Sequence, residues 1–194
     1  PSFRLDGRVA LVTGGSQGIG EAIALALADA GADVALTSRT LTRARPVAAR
    51  IEAMGRRALP LAMEVSDLHS VQRAVDAALQ HFGQVDILVN NAGLNIPAPA
   101  LEVTEAQWDT ILDTNLKGLF FATQRVGKQM LERGWGRVVQ ISSQMGVIGG
   151  PRRSVYCASK GAVNQLSKAL ALEWATCGVT VNAVAPTYIR TPLT

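Results

Sequence analysis

Aromatic residues make up only 5% of this 194-residue chain, and it has just two cysteines and two histidines. No stripe of cations interleaves with the few aromatics, which argues against a nucleic-acid surface despite a net charge of +4. No apolar run approaches the roughly 20 residues of a membrane span. No charged-then-apolar leader precedes the first strand-like run. Cys157 and Cys177 fall in or near one helical pattern, about five turns apart and too far to bridge. Free thiols without a disulfide framework fit a reducing compartment. A cytoplasmic protein with no membrane or nucleic-acid partner is therefore expected. His69 and His81 stand at the two ends of one helical pattern and are expected to be exposed and inert, and no metal site is expected.

What the chain does have is alternation. Hydrophobic residues make up 48% of it and no stretch is of low complexity, so residues 1–194 read as a single domain. Strand-like runs fall at 9–13, 33–37, 57–62, 87–90, 138–141 and 179–184. Helical patterns lie between them at 18–30, 42–54, 68–82, 105–133 (with a break near 113–115) and 154–176. Strand and helix in this order give an α/β, doubly wound parallel sheet of the Rossmann type. The strands read as continuous Val/Leu/Ile runs, as expected when helices cover both faces. Gly31, Gly55, Gly134 and Gly178 stand where four of the helices should close.

Two features carry chemistry. The first is a glycine turn, Thr13-Gly14-Gly15-Ser16-Gln17-Gly18-Ile19-Gly20, which follows the first strand and opens the first helix. A helix N-terminus reached through such a turn offers backbone N–H groups to a diphosphate, although glycines alone can simply make a tight turn. The second is Tyr156 and Lys160, four apart and so on one helical face, with Ser143 upstream. A phenol ordinarily ionises near pH 10. A neighbouring ammonium favours the phenolate, which makes a tyrosine usable as an acid or base near neutrality. A phosphate cradle and a tuned tyrosine together suggest hydride transfer to or from a carbonyl.

With Asn90-Asn91-Ala92-Gly93 after the fourth strand and Asn115 in the helices that follow, these motifs resemble the classical short-chain dehydrogenases/reductases from Leu5 to about Thr191. The resemblance implies an NAD(P)-dependent oxidoreductase acting on a carbonyl/secondary alcohol pair. Tyr156 would be the general acid in reduction and the base in oxidation, and Lys160 would tune it and hold the nicotinamide ribose. Ser143 would bind the substrate oxygen, and Asn115 would hold a water linking Lys160 to solvent. Carried over in the same way, the cofactor contacts are Gly14, Ser16, Gln17, Gly18, Ile19, Gly20, Ser38, Arg39, Glu64, Val65, Asn91, Ala92, Gly93, Tyr156, Lys160, Pro186, Ile189 and Thr191. Glu64 stands where the family usually has Asp, and Thr187 where it has Gly after Pro186.

The second strand ends Leu36-Thr37-Ser38-Arg39-Thr40, without the carboxylate that would grip a free ribose 2′-hydroxyl. Serine and arginine can take a 2′-phosphate, so NADP is favoured, with NAD as the alternative. Arg39 leads a basic patch with Arg43, Arg45 and Arg50, the last two of which read equally well as a solvated helix face. Gln144, Arg152 and Arg153 border the expected substrate mouth with Ser143 and Tyr156. The arginines would receive a carboxylate or phosphate, or are simply solvated. The run from Ser142 to Gly146 also resembles bacterial family members acting on sugars and sugar acids, which favours a sugar, sugar acid or polyol. The alternatives are a β-ketoacyl thioester on an acidic carrier protein and a catalytically silent dinucleotide-binding regulator. Relatives pair their long helices across a two-fold axis, so a homotetramer is expected. Family members run to about 250 residues, so the sequence is expected to be a fragment lacking the C-terminal lid and last strand.

Overall fold

A computed structural model describes residues 3–191. Its six strands are β1 (Val9–Val12), β2 (Asp33–Ser38), β3 (Ala58–Ala62), β4 (Ile87–Asn90), β5 (Gly136–Ile141) and β6 (Val179–Val184). Every pairing is parallel and the spatial order is β3-β2-β1-β4-β5-β6. The helices are α1 (Gly18–Asp29), α2 (Leu41–Ala53), α3 (Leu68–Phe82), α4 (Glu105–Leu112), α5 (Gly118–Arg133) and α6 (Ser154–Trp174). The strand order reverses between β1 and β4, so the connections after them diverge and leave a crevice at their C-terminal ends.

One face of the sheet packs on α1 and α2 through Ala24, Ala28, Val47 and Ile51. The other packs on α3, α5 and α6 through Val71, Val75, Ala122, Val126, Met130 and Leu170. Every residue of β1 and β4 is buried, as the continuous apolar runs predict. On the outer strand β6, Val179 and Val181 are buried and Thr180, Asn182, Ala183 and Val184 are exposed. β3, at the other edge, is half-buried and accommodates Pro60.

Local chemistry sets the helix ends. Asp67 caps α3 by accepting from His69 N at 2.9 Å. Thr104 and Gln107 close a reciprocal capping box on α4. The expected single helix over 105–133 is two helices joined by a π-helical turn at Asp113–Lys117, where the break was anticipated. Such turns are rare and gather at functional sites.

Candidate active site

At the C-terminal ends of β1 and β4 the two strands are tied together. Thr13 Oγ1 accepts from the backbone N–H of both Asn91 and Ala92 at 3.0 Å. Asn91 Nδ2 donates to Thr13 O (3.0 Å) and Gly14 O (3.1 Å). This lattice holds the glycine turn, in which Gly14 (φ 64°) and Gly18 (φ 57°) occupy left-handed backbone. Gly20 is needed for a different reason. A Cβ there would lie 2.2 Å from Gly14 O and 2.4 Å from Asn91 Nδ2.

Gln17 precedes α1 without a side-chain cap, so the first-turn N–H groups of the helix have no side-chain acceptor and face the crevice. Beyond the turn, Ser16 Oγ donates to Ser38 Oγ at 3.0 Å, joining the glycine turn to the end of β2. Arg39 and Arg43 stand exposed beside them. Free helix amides next to two arginines form a donor set that fits a dinucleotide diphosphate with a further phosphate on its ribose.

Ser143, Tyr156 and Lys160 converge at the end of β5. Ser143 Oγ accepts from Met145 N at 3.2 Å, which leaves its own hydrogen to donate. Lys160 is 4% exposed and its Nζ donates to Ile141 O at 2.7 Å. The ammonium lies 5.9 Å from the centre of the Tyr156 ring. Burial pushes the Lys160 pKa down to about 8. Ser142 Oγ, donating to Lys160 O at 3.2 Å, fixes this stretch of α6 against β5.

Asn115, fully buried in the π-helical turn, uses its amide to hold neighbours. It accepts from Leu94 N (2.8 Å) and donates to Leu94 O (2.9 Å) and Ser159 Oγ (3.1 Å). A Cβ on Gly93 would sit 3.2 Å from Asn115 Oδ1 and 3.6 Å from Lys160 Nζ, so glycine keeps open the space between those two groups.

One cleft of about 520 Å³ runs through all of this. Every residue expected to contact the cofactor lines it, from Gly14, Ser16, Gln17, Gly18, Ile19 and Gly20 through Ser38, Arg39, Glu64 and Val65 to Asn91, Ala92, Gly93, Pro186, Ile189 and Thr191. Ser143, Tyr156 and Lys160 line it too. Asn115, Gln144, Arg152 and Arg153 do not. Arg152 and Arg153 instead border a small hollow with Ile96, Ala98 and Val155. The Glu64 carboxylate is turned onto its own loop, where Ser66 donates through N (3.3 Å) and Oγ (3.0 Å). Sequence reasoning did not assign Arg43, Leu94, Thr110, Thr114 or Thr187 to the site, all of which line the cleft. Arg43 carried a signal as part of the basic patch, and Thr187 as the departure from the family's Pro-Gly pair. Arg50 pairs with Glu21 of α1, the solvated-face alternative weighed for it.

A dinucleotide cleft at the switch point, with a serine, a tyrosine and a buried lysine at one end, defines an NAD(P)-dependent oxidoreductase. A family model for short chain dehydrogenase matches residues 8–194, and the chain belongs to that family. It is 45% identical to a D-threitol dehydrogenase of Mycolicibacterium smegmatis over 191 residues, 98% of this chain and 74% of that one. It is 40% identical to a 3-oxoacyl-[acyl-carrier-protein] reductase of Synechocystis over 98% of this chain and 77% of that one. The crystal structure of a gluconate 5-dehydrogenase from Burkholderia cenocepacia J2315, in complex with NADP and tartrate, superposes with a TM-score of 0.94 at 37% identity, covering 99% of this chain and 75% of that one. Among the described residues, no helix is long and apolar enough to cross a membrane.

Proposed function

We propose that this protein interconverts a secondary hydroxyl and a carbonyl on a sugar, sugar acid or polyol, using NADP(H) in preference to NAD(H). The observation that carries the reading is the convergence of Ser143, Tyr156 and Lys160 at the nicotinamide end of the cleft. NADP(H), when bound, supplies or accepts the hydride. Tyr156 delivers its hydroxyl proton to the substrate oxygen in reduction and takes one back in oxidation. Ser143 Oγ–H, free because its oxygen already accepts from Met145 N, donates to the same substrate oxygen as charge builds there. Lys160, anchored by Ile141 O, keeps two N–H groups for the ribose hydroxyls and places positive charge beside Tyr156. Asn115 positions Leu94 and Ser159 around Lys160, and the gap at Gly93 leaves room for a water that relays the proton.

Arg39 reads the 2′-phosphate of NADP, assisted by Ser38. The crystallised gluconate 5-dehydrogenase with NADP and the D-threitol dehydrogenase support the cofactor and the substrate class. The whole sequence works as one cofactor-binding and catalytic domain of a cytoplasmic homotetramer. Leu172 is 84% exposed on α6, and Phe121 and Trp108 are exposed on α5 and α4, an apolar surface that a second copy would cover. The β-ketoacyl relative keeps thioester reduction as the second reading. Steady-state assay of sugar acids, polyols and β-ketoacyl thioesters with both cofactors tests the reaction and the cofactor. Turnover of the thioester alone would replace the sugar reading, and no turnover with any of them would restore the silent regulator.

A further inference from the structure

Resting on that sugar-type reading, the rim of the cleft indicates which sugars. Arg153 ends the substrate loop immediately before α6, three residues and roughly 4.5 Å of helix rise ahead of Tyr156. Its Nη1 donates to Tyr188 Oη at 3.2 Å, with the guanidinium 5.9 Å from the ring centre. Tyr188 stands between Thr187 and Ile189, both of which line the cleft. The pair therefore bridges two walls, the start of the Tyr156 helix and the segment after β6. Neither residue lines the cofactor cleft, but Tyr156, Thr187 and Ile189 beside them do.

The approach to this pair is built with some strain. Arg152 holds a left-handed φ of 60°, and its carbonyl accepts from Ala98 N at 3.0 Å, which ties the loop to the segment after β4. Arg153 is half-buried, and among the described residues no carboxylate lies within ion-pair distance of it. Its charge is thus paired only with a neutral hydroxyl.

Donor arithmetic identifies the ligand. Tyr188 Oη accepts from Arg153, so the phenol hydrogen remains to donate, and the guanidinium keeps further N–H groups. Two adjacent donors, one of them cationic, match the two oxygens of a carboxylate. A neutral polyol gives the arginine nothing to neutralise, and a β-ketoacyl thioester carries no anion beside its reacting carbonyl. We propose that Arg153 and Tyr188 together receive the substrate's carboxylate, making the enzyme selective for sugar acids over neutral polyols.

The experiment compares D-gluconate with D-glucitol, its neutral six-carbon counterpart, on wild type, Arg153→Met and Tyr188→Phe. Kinetics are run with NADP+, and calorimetry measures gluconate binding to the enzyme–NADP+ complex. Wild type should favour gluconate in kcat/KM. Arg153→Met should lower the gluconate-to-glucitol ratio about 10- to 100-fold and weaken gluconate binding to match, the range for a hydrogen bond to a charged group. Tyr188→Phe should cost about 5-fold. Thermal melting of each variant confirms that it is folded. An unchanged ratio and unchanged gluconate affinity in Arg153→Met would overturn the proposal while leaving the sugar reading intact. Failure of wild type to bind or turn over gluconate would overturn the proposal, and failure on the wider panel of sugar acids and polyols as well would overturn the sugar reading.

Discussion

The ammonium of Lys160 lies one helical turn from Tyr156 and 5.9 Å from the centre of its ring, held by the carbonyl of Ile141 at 2.7 Å. The lysine is 4% exposed, and no carboxylate among the described residues pairs with it. A charge in that position is costly to the fold. In the proposed mechanism it stands where a proton passes between a phenol and a substrate oxygen, which is the kind of site at which proteins retain such costs.

If Tyr156 is the proton donor and acceptor, Tyr156→Phe removes one oxygen from a half-buried ring and leaves the glycine turn untouched. The expected result is a loss of kcat of about 10²–10⁴-fold. Cofactor affinity, followed by nicotinamide fluorescence on NADPH binding, should stay near wild type. A variant retaining more than a tenth of wild-type kcat would remove Tyr156 from this role.

Cofactor choice turns on the end of β2. Arg39→Asp would put a carboxylate where Arg39 and Arg43 now present two exposed cations, repelling a 2′-phosphate while gripping a free 2′-hydroxyl. The ratio of kcat/KM for NADP over NAD should fall at least 10-fold. An unchanged ratio would mean that this patch does not read the phosphate.

Much of this was legible in the sequence, for identifiable reasons. β1 is wholly apolar and β4 is apolar from Ile87 to Val89, each followed by a glycine or asparagine turn, so their buried, parallel placement follows from composition. The cofactor wall was legible because the glycine turn and the Asn90–Gly93 stretch each occupy a fixed place relative to a strand end. Loop orientation left no such trace. Nothing in the order Gly149-Gly150-Pro151-Arg152-Arg153 discloses that neither arginine lines the cofactor cleft, or that Arg153 meets Tyr188, because side-chain direction in an aperiodic loop is decided by distant contacts. The amide of Asn115 is similar, since its hold on Leu94 depends on a π-helical turn that leaves the apolar spacing of the helix almost unchanged.

The proposed tetramer rests on exposed apolar side chains. Leu119 and Leu170 face the core, whereas Leu172 and Phe121 point outward from α6 and α5. Leu172→Glu should convert a tetramer sedimenting at micromolar concentration into smaller species. Wild-type protein that sediments as a monomer at that concentration would contradict the assembly.

The buried lysine also predicts a trade between stability and activity. Lys160→Met keeps a side chain of comparable volume and removes a charge that burial disfavours, at the cost of the bond to Ile141 O. Turnover should be lost, and NADP affinity should fall with the ribose contact. At pH 7 the folded protein should nevertheless melt higher than wild type, by about 2–4 °C for each kcal/mol gained. The pH dependence separates this cause from generic repacking. The folded-state pKa of Lys160 is lowered from 10.5 to about 8, so the unfolded chain binds more protons between those two values. Wild-type stability therefore gains from Lys160 as pH rises from about 8 toward 10.5, and the full penalty applies below about 8. The difference in melting temperature between Lys160→Met and wild type should be widest at pH 6–7 and close by pH 10. A pH-independent difference, or a variant less stable than wild type at pH 7, would show that the buried charge is not what limits the fold here.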